Sequence, residues 1–168
     1  MAPNSRGRAR LVAAKIIVLD NSINARLLWP DSESPDSNQY ALDVLSEADN
    51  GSVFHVPTIW HYEVAHVAAK LVRTGEVSQA SAVSYFEQIA LLPIVTDVSS
   101  HANATQATFA LSVQLGLSVY DAAYLELVLR LGADLATNDK RLRAAAARAG
   151  ASLFLSVHPQ ENASNGSG

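Results

Sequence analysis

Four carboxylates, Asp20, Glu63, Asp121 and Asp139, carry most of the chemistry that this sequence can offer. Each stands at a break in the hydrophobic pattern. Asp20 closes the β-branched run KIIVLD, and Asp139 follows ADLATN. Glu63 falls in the first turns of a helical pattern that begins after Pro57. Asp121 sits in SVYDAAYLEL, where Val119, Ala122, Ala123, Leu125 and Leu127 read as a buried face. A bare carboxylate beside a core is costly unless it is paired. It is rewarded as a helix cap, as the partner of a base, or as one of several oxygens around a cation.

Each acid also has a simpler role on its own. Asp20 in DNS and Asp139 in NDK suit helix capping. Glu63 reads alone as a solvated helix residue, and Asp121 near a helix N-terminus is favoured by the dipole. The group changes the balance. Carboxylates a few Å apart repel by about 1 to 4 kcal/mol per pair, and a divalent cation reverses that sign. Hard oxygen donors of this kind suit Mg²⁺ or Mn²⁺ rather than zinc.

The elements needed to gather these acids follow from the hydrophobic pattern. Strands are expected over 15–20, 52–57 (SVFHVP), 93–98 (PIVTDV), 133–138 (ADLATN) and 152–155 (SLFL). Between them, Ile23, Leu27 and Leu28 mark one helical face, and QYALDVLSEA is amphipathic. A helix runs from Thr58, as N-cap, to Gly75. Others are expected over 78–92, 99–115, 120–131 and 139–150, and PDSESPDSN reads as a loop. Near-continuous apolar strands alternating with helices predict an α/β fold, a three-layer α/β/α sandwich around a mainly parallel sheet. Ligands bind such sheets beyond the carboxyl ends of the strands, which is where Asp20 and Asp139 fall.

Composition narrows the function classes. The chain has 168 residues, no cysteine and a net charge of −4. It suits one domain over 16–157, with a basic leader over 1–15 and a small, polar, flexible tail over 158–168. Absence of cysteine removes thiolate metal sites and thiol nucleophiles, and fits a cytoplasmic location. The charge excludes coating of nucleic acid by bulk electrostatics but not a nuclease with an acidic metal site. No apolar run reaches the roughly 20 residues of a membrane helix. HYEVAH is not a zinc-protease motif: His61 and His66 are five apart, about 140° around a helix. LDNS invites an aspartyl-phosphate phosphatase, but Ser22 stands where a second aspartate is wanted.

Three blocks together resemble PIN-domain ribonucleases, and more closely the VapC toxins of type II toxin–antitoxin modules. They are VLDNSINARLLWPDSE, PTIWHYEVAHVAAKLVRTGEVS and GLSVYDAAYLELVLRLGADLATNDKRLRAAAARAG. The resemblance spans roughly residues 16 to 155, and the third block is the most specific. It implies a metal-dependent endoribonuclease that hydrolyses RNA with a metal-activated water, leaving a 5′-phosphate and a 3′-hydroxyl. Asp20 and Asp121 would match the metal-binding aspartates, Glu63 the glutamate of the second block, and Asp139 the final acid. Ser22 and Asn138 would orient ligands or substrate. Mg²⁺, with Mn²⁺ as substitute, a cognate antitoxin and a homodimer are implied with them. Asn21 and His66 depart from the family pattern, and neither removes an acid.

Arg26, Lys140, Arg141 and Arg143 are candidates for holding RNA. Trp29 and Trp60 read as core or interface rather than stacking platforms. Leu27, Leu28, Tyr40 and Leu42 are available to a dimer face or to the core. The alternative function is a catalytically silent domain of the same fold that binds RNA or protein, and retention of all four acids speaks against it.

Overall fold

The computed structural model describes residues 14–98 and 104–156. Five parallel strands form one sheet: β1 (Ile16–Leu19), β2 (Val53–Pro57), β3 (Ile94–Asp97), β4 (Asp134–Ala136) and β5 (Ser152–Leu153). Their order is β3-β2-β1-β4-β5. Seven α-helices accompany them among the described residues: α1 (Asn21–Leu28), α2 (Pro35–Ser46), α3 (Ile59–Arg73), α4 (Gln79–Ala90), α5 (Phe109–Leu115), α6 (Val119–Leu131) and α7 (Lys140–Arg148). A 3₁₀ turn, Glu47–Asn50, follows α2, and a wide π turn, Ala104–Thr108, leads into α5.

The topology places the site. From β1 the chain winds outward through β2 to β3, then crosses back to β4 on the other side of β1 and outward again to β5. The direction of winding therefore reverses between β1 and β4. With crossovers of one hand, reversal puts helices on both faces and opens a crevice at the carboxyl ends of those two strands. Leu19 pairs with Ala136 across that junction, and the Asp20 amide donates to the Ala136 carbonyl at 3.0 Å.

The core explains why the strands read as continuous apolar runs. Ile17, Val18 and Leu19 are fully buried, as are Phe54 and Val56 on one neighbour and Leu135 and Ala136 on the other. Helix α6 packs across β1, β2 and β4 and buries Ala122, Tyr124, Leu125, Leu127 and Val128. Glu126 on that helix is buried too, and its carboxylate has a partner. Arg130 Nε donates to Glu126 Oε1 at 2.8 Å, one turn on, and the same guanidinium bonds Asp97 at the end of β3. Those hydrogen bonds and charges raise the Arg130 pKa, with the Glu126 bond the largest cause. The acid inside the apolar helix is thus half of an ion-pair bridge between α6 and β3.

Several expected boundaries move. The segment read as a loop through Asn38 is helical from Pro35, because proline at the first helical position has its φ preset and lacks only an N–H that would go unbonded. Strand β2 ends at Pro57 as expected, the other strands end one or two residues early, and Asp20 and Asn138 lie just beyond theirs. Thr58 holds the N-cap position of α3 but makes no side-chain cap; its hydroxyl donates to the Asp97 carbonyl at 3.4 Å. Of the helix expected over 99–115, residues 104–115 form the π turn and α5, and 99–103 lie outside the described residues. Most of the basic leader and the whole of the polar tail lie outside them as well. Trp60 is core, as expected, whereas Trp29 is exposed. Leu27, Leu28 and Tyr40 pack against the core and leave only Leu42 well exposed.

Candidate active site

Asp20 is held where a carboxylate is least comfortable. It follows β1, is only 9% exposed, and occupies the N-cap position of α1 without making a side-chain cap. Its Oδ2 instead receives two hydroxyls: Ser22 Oγ donates at 2.5 Å and Thr137 Oγ1 at 2.6 Å. Those bonds favour the anion, but burial outweighs them and the nearby charge of Asp121 adds to burial, so the Asp20 pKa lies above the ordinary carboxylate range. A group that is buried, fixed by two donors and still short of positive charge is a ready ligand for a cation.

Asp121 and Glu63 face the same region. Asp121 lies in the first turn of α6 and forms a reciprocal cap with Ser118: its amide donates to Ser118 Oγ at 3.0 Å, and that hydroxyl donates to Asp121 Oδ2 at 2.7 Å. Glu63, on the second turn of α3, accepts a hydrogen bond from the Tyr124 hydroxyl. Tyr124 is one turn beyond Asp121 on α6 and buried, so this bond ties α3 to α6 and keeps Glu63 beside Asp121. The Glu63 pKa is raised, chiefly by burial, with the charges of Asp20 and Asp121 adding to it. Burial and the Asp20 and Glu63 charges push the Tyr124 hydroxyl up in turn, so it remains a donor.

The fourth acid is placed differently. Asp139 Oδ1 accepts from the Arg141 amide at 2.7 Å and the Leu142 amide at 2.9 Å, which makes it the N-cap of α7. It touches the site through one intermediary, since its own amide donates to Thr137 Oγ1 at 2.9 Å. Ser22 Oγ accepts the Asn138 amide at 2.9 Å, while the Asn138 side chain turns away to the Ser37 carbonyl at 3.3 Å. Ser22 therefore positions Asp20, and Asn138 braces the loop after β4 against α2.

Among the described residues, no three Asp, Glu or His side chains are gathered closely enough to hold an ion by themselves. A divalent cation bound there would take one or two carboxylates from the chain and its remaining oxygens from water and phosphate. Asp20 and Asp121 offer hard anionic oxygens for such an ion, and the Asp121 charge adds to the raising of the Asp20 pKa.

The basic candidates divide. Arg143 is committed: it donates to the Thr137 carbonyl at 2.8 Å and lies over the Tyr40 ring, 5.1 Å from its centre. Arg26 pairs with Asp31 at 3.6 Å. Lys140 and Arg141 remain exposed. Sequence reading missed Thr137 and Tyr124 altogether. Thr137 had one signal, a hydroxyl residue directly after a strand next to an acid, and Tyr124 had only its helical offset of three from Asp121.

Known proteins resemble this chain in sequence and in fold. The family model of the PIN domain matches residues 17–148. The chain is 30% identical over 126 residues to Ribonuclease VapC3 of Pyrobaculum aerophilum, covering 75% of this chain and 91% of that protein. Its fold is similar to the crystal structure of PAE2754, also from Pyrobaculum aerophilum. The TM-score is 0.56 at 19% identity, over 82% of this chain and 87% of the other. A parallel sheet with acids at the β1–β4 junction, the matched span and the VapC relative lead to one statement: the chain belongs to the PIN domain family.

Proposed function

We propose that this protein is a divalent-metal-dependent endoribonuclease of the VapC type, the toxin of a toxin–antitoxin pair. The observation that carries the reading is the placement of Asp20, Glu63 and Asp121 around one region at the carboxyl edge of the sheet, where the Asp121 charge raises the Asp20 pKa and the Asp20 and Asp121 charges raise that of Glu63. A divalent cation such as Mg²⁺ or Mn²⁺, held by Asp20 and Asp121, would supply a water of lowered pKa and offset charge on the scissile phosphate. The chain's own residues do the rest. Asp20 and Asp121 present the ligating oxygens. Ser22 and Thr137 fix the Asp20 carboxylate, so no reorganisation is needed when RNA arrives. Glu63, held by Tyr124, orients the attacking water or accepts its proton. Asp139 caps α7 at the rim of the site.

The toxin role rests on the VapC relative. An antitoxin would place a basic side chain among the acids and cover an apolar groove. A groove of about 490 Å³ between α3, α4 and β3, lined by Trp60, Val64, Phe86 and Ile89, supports that reading. A homodimer and a cytoplasmic location belong to the same proposal. No described helix is long and apolar enough to cross a membrane.

RNA cleavage by purified protein with Mg²⁺, Mn²⁺ or EDTA tests the activity, with Asp121→Asn prepared identically. Cleavage that needs metal and is lost in the variant is expected. Equal cleavage by both proteins, or none by the wild type on a panel of transfer, ribosomal and messenger RNAs, overturns the reading and favours a silent PIN domain. Tyr124→Phe is a finer probe. Losing its hydrogen bond to Glu63 should cost about 1–2 kcal/mol of stability. Glu63 is freed to drift, so kcat should fall roughly 10-fold with KM little changed. A merely structural tyrosine would lower the melting temperature and leave kcat alone.

A further inference from the structure

A second feature lies beside the acids, and it is basic. Helix α7 carries Lys140, Ala144 and Arg148 at successive offsets of four, one stripe of a helix. With Arg141, Leu115 at the end of α5 and Leu117 just beyond it, that stripe lines a pocket of about 320 Å³. Ala144 is the small residue of that stripe, between two long cations. Both arginines are anchored by carbonyls at the C-terminal end of α5. Arg148 Nη2 donates to Leu115 O at 3.0 Å, and Arg141 Nη2 to Gly116 O at 3.4 Å. Each guanidinium keeps further N–H groups beyond the one so used. Among the described residues, none of Lys140, Arg141 and Arg148 forms an ion pair, although the chain as a whole is acidic.

We propose that this pocket binds a backbone phosphate of single-stranded RNA, next along the strand from the phosphate that is cut. The inference rests on the nuclease reading and adds to it a substrate subsite. The placement is what points to phosphate. Lys140 directly follows Asp139, and Leu117 directly precedes Ser118, which caps at Asp121. A polyanion approaching carboxylates is repelled, so positive charge must flank the cut site for RNA to settle there. Guanidinium groups pre-anchored on one edge offer a planar fork that matches phosphate and loses little entropy on binding.

Ala144→Glu tests the pocket by its charge, because the new carboxylate sits one helical turn from both Lys140 and Arg148 and offsets the positive charge that the pocket presents. Ala69→Glu is the matched control: an exposed alanine on α3 with Arg73 four residues on, making the same charge change away from the pocket. Binding of a fluorescein-labelled single-stranded 20-mer RNA would be measured by anisotropy across a salt series. Both substitutions would be made in the Asp121→Asn background, and cleavage followed in the wild-type background. Ala144→Glu should weaken binding at least 10-fold and reduce the slope of log K against log salt by about 1, the loss of one or two phosphate contacts. Cleavage should show a raised KM with kcat retained. Ala69→Glu should change neither by more than 2-fold. Unchanged binding in Ala144→Glu while the wild type still cleaves RNA overturns the subsite alone, as does equal weakening by Ala69→Glu. Tighter binding of a hexaglutamate peptide than of the RNA would also overturn it and assign the pocket to an acidic protein segment. Absence of both binding and cleavage by the wild type removes the nuclease reading and the subsite with it.

Discussion

Asp20→Asn will lower RNA cleavage by about 100-fold or more and, in EDTA, raise the melting temperature. Both effects come from one carboxylate. The amide cannot supply the anionic oxygen that a divalent cation needs, and ligand loss costs at least as much as the roughly 10–100-fold typical of outer-sphere partners. Stability moves the other way. The folded-state pKa of Asp20 is raised above its ordinary value of 3.8, so the folded protein holds this proton more tightly than the unfolded chain does. Below 3.8 both states are protonated and the group costs nothing. The cost grows as pH rises from there to the raised folded-state pKa and is complete above it. Asparagine removes it and still accepts the Ser22 and Thr137 hydroxyls. Thermal melts between pH 4 and pH 8 should show the variant gaining on wild type as pH rises, by about 2–4 °C for each kcal/mol in a domain of this size. A variant that melts lower than wild type at pH 8 without metal would show that Asp20 is a structural acid.

The second large effect lies underneath the site. Asn24 on α1 is completely buried and joins three elements. Its Nδ2 donates to Tyr85 Oη on α4 at 2.7 Å and to Asn21 Oδ1 at 3.1 Å, and its Oδ1 accepts from Trp60 Nε1 on α3 at 3.1 Å. Burial raises the Tyr85 hydroxyl to about 12, against the Asn24 hydrogen bond, which lowers it. Asn24→Ala removes the acceptor of a buried indole N–H and opens a small cavity. About 3–5 kcal/mol of stability should be lost, near the upper end for single substitutions. Trp60→Phe removes the N–H itself and should cost less. If the bond is shared, the double variant will be less destabilised than the sum of the two, as read from urea unfolding. Strict additivity would mean that the two residues do not depend on each other. Because α1 begins directly after Asp20, and α3 carries Glu63, the network also sets the spacing of the acids.

Much of this protein is legible in one dimension because its strands are buried on both faces. Such strands must be continuous apolar runs, so KIIVLD and ADLATN announce themselves, and an acid just beyond each is then an acid at the sheet's carboxyl edge. That pattern marks Asp20 and Asp139. Asp121 was visible as a charge inside an apolar helix, and Glu63 through its place after Pro57. Helix ends at Gly116 and Gly132 were equally local, since each adopts a left-handed φ, 66° and 60°, that few other residues accept.

What those residues do was decided by contacts that no local pattern encodes. Asp139 and Asp121 look alike in sequence, yet one spends an oxygen capping α7 and the other shares its field with Asp20 and Glu63. Glu126 reads as a second buried anomaly and is answered by Arg130 and Asp97, the latter on a different strand. Arg143 and Arg148 lie on the same short helix. One is turned inward over Tyr40, and the other lines an open pocket. The donors that fix the site come from far along the chain: Thr137 reaches Asp20 across 117 positions, and Tyr124 reaches Glu63 across 61. Periodicity reports which face of an element is buried. It carries no information on which two buried faces meet, and hydrogen bonds between distant side chains form only once the sheet order β3-β2-β1-β4-β5 has brought those faces together.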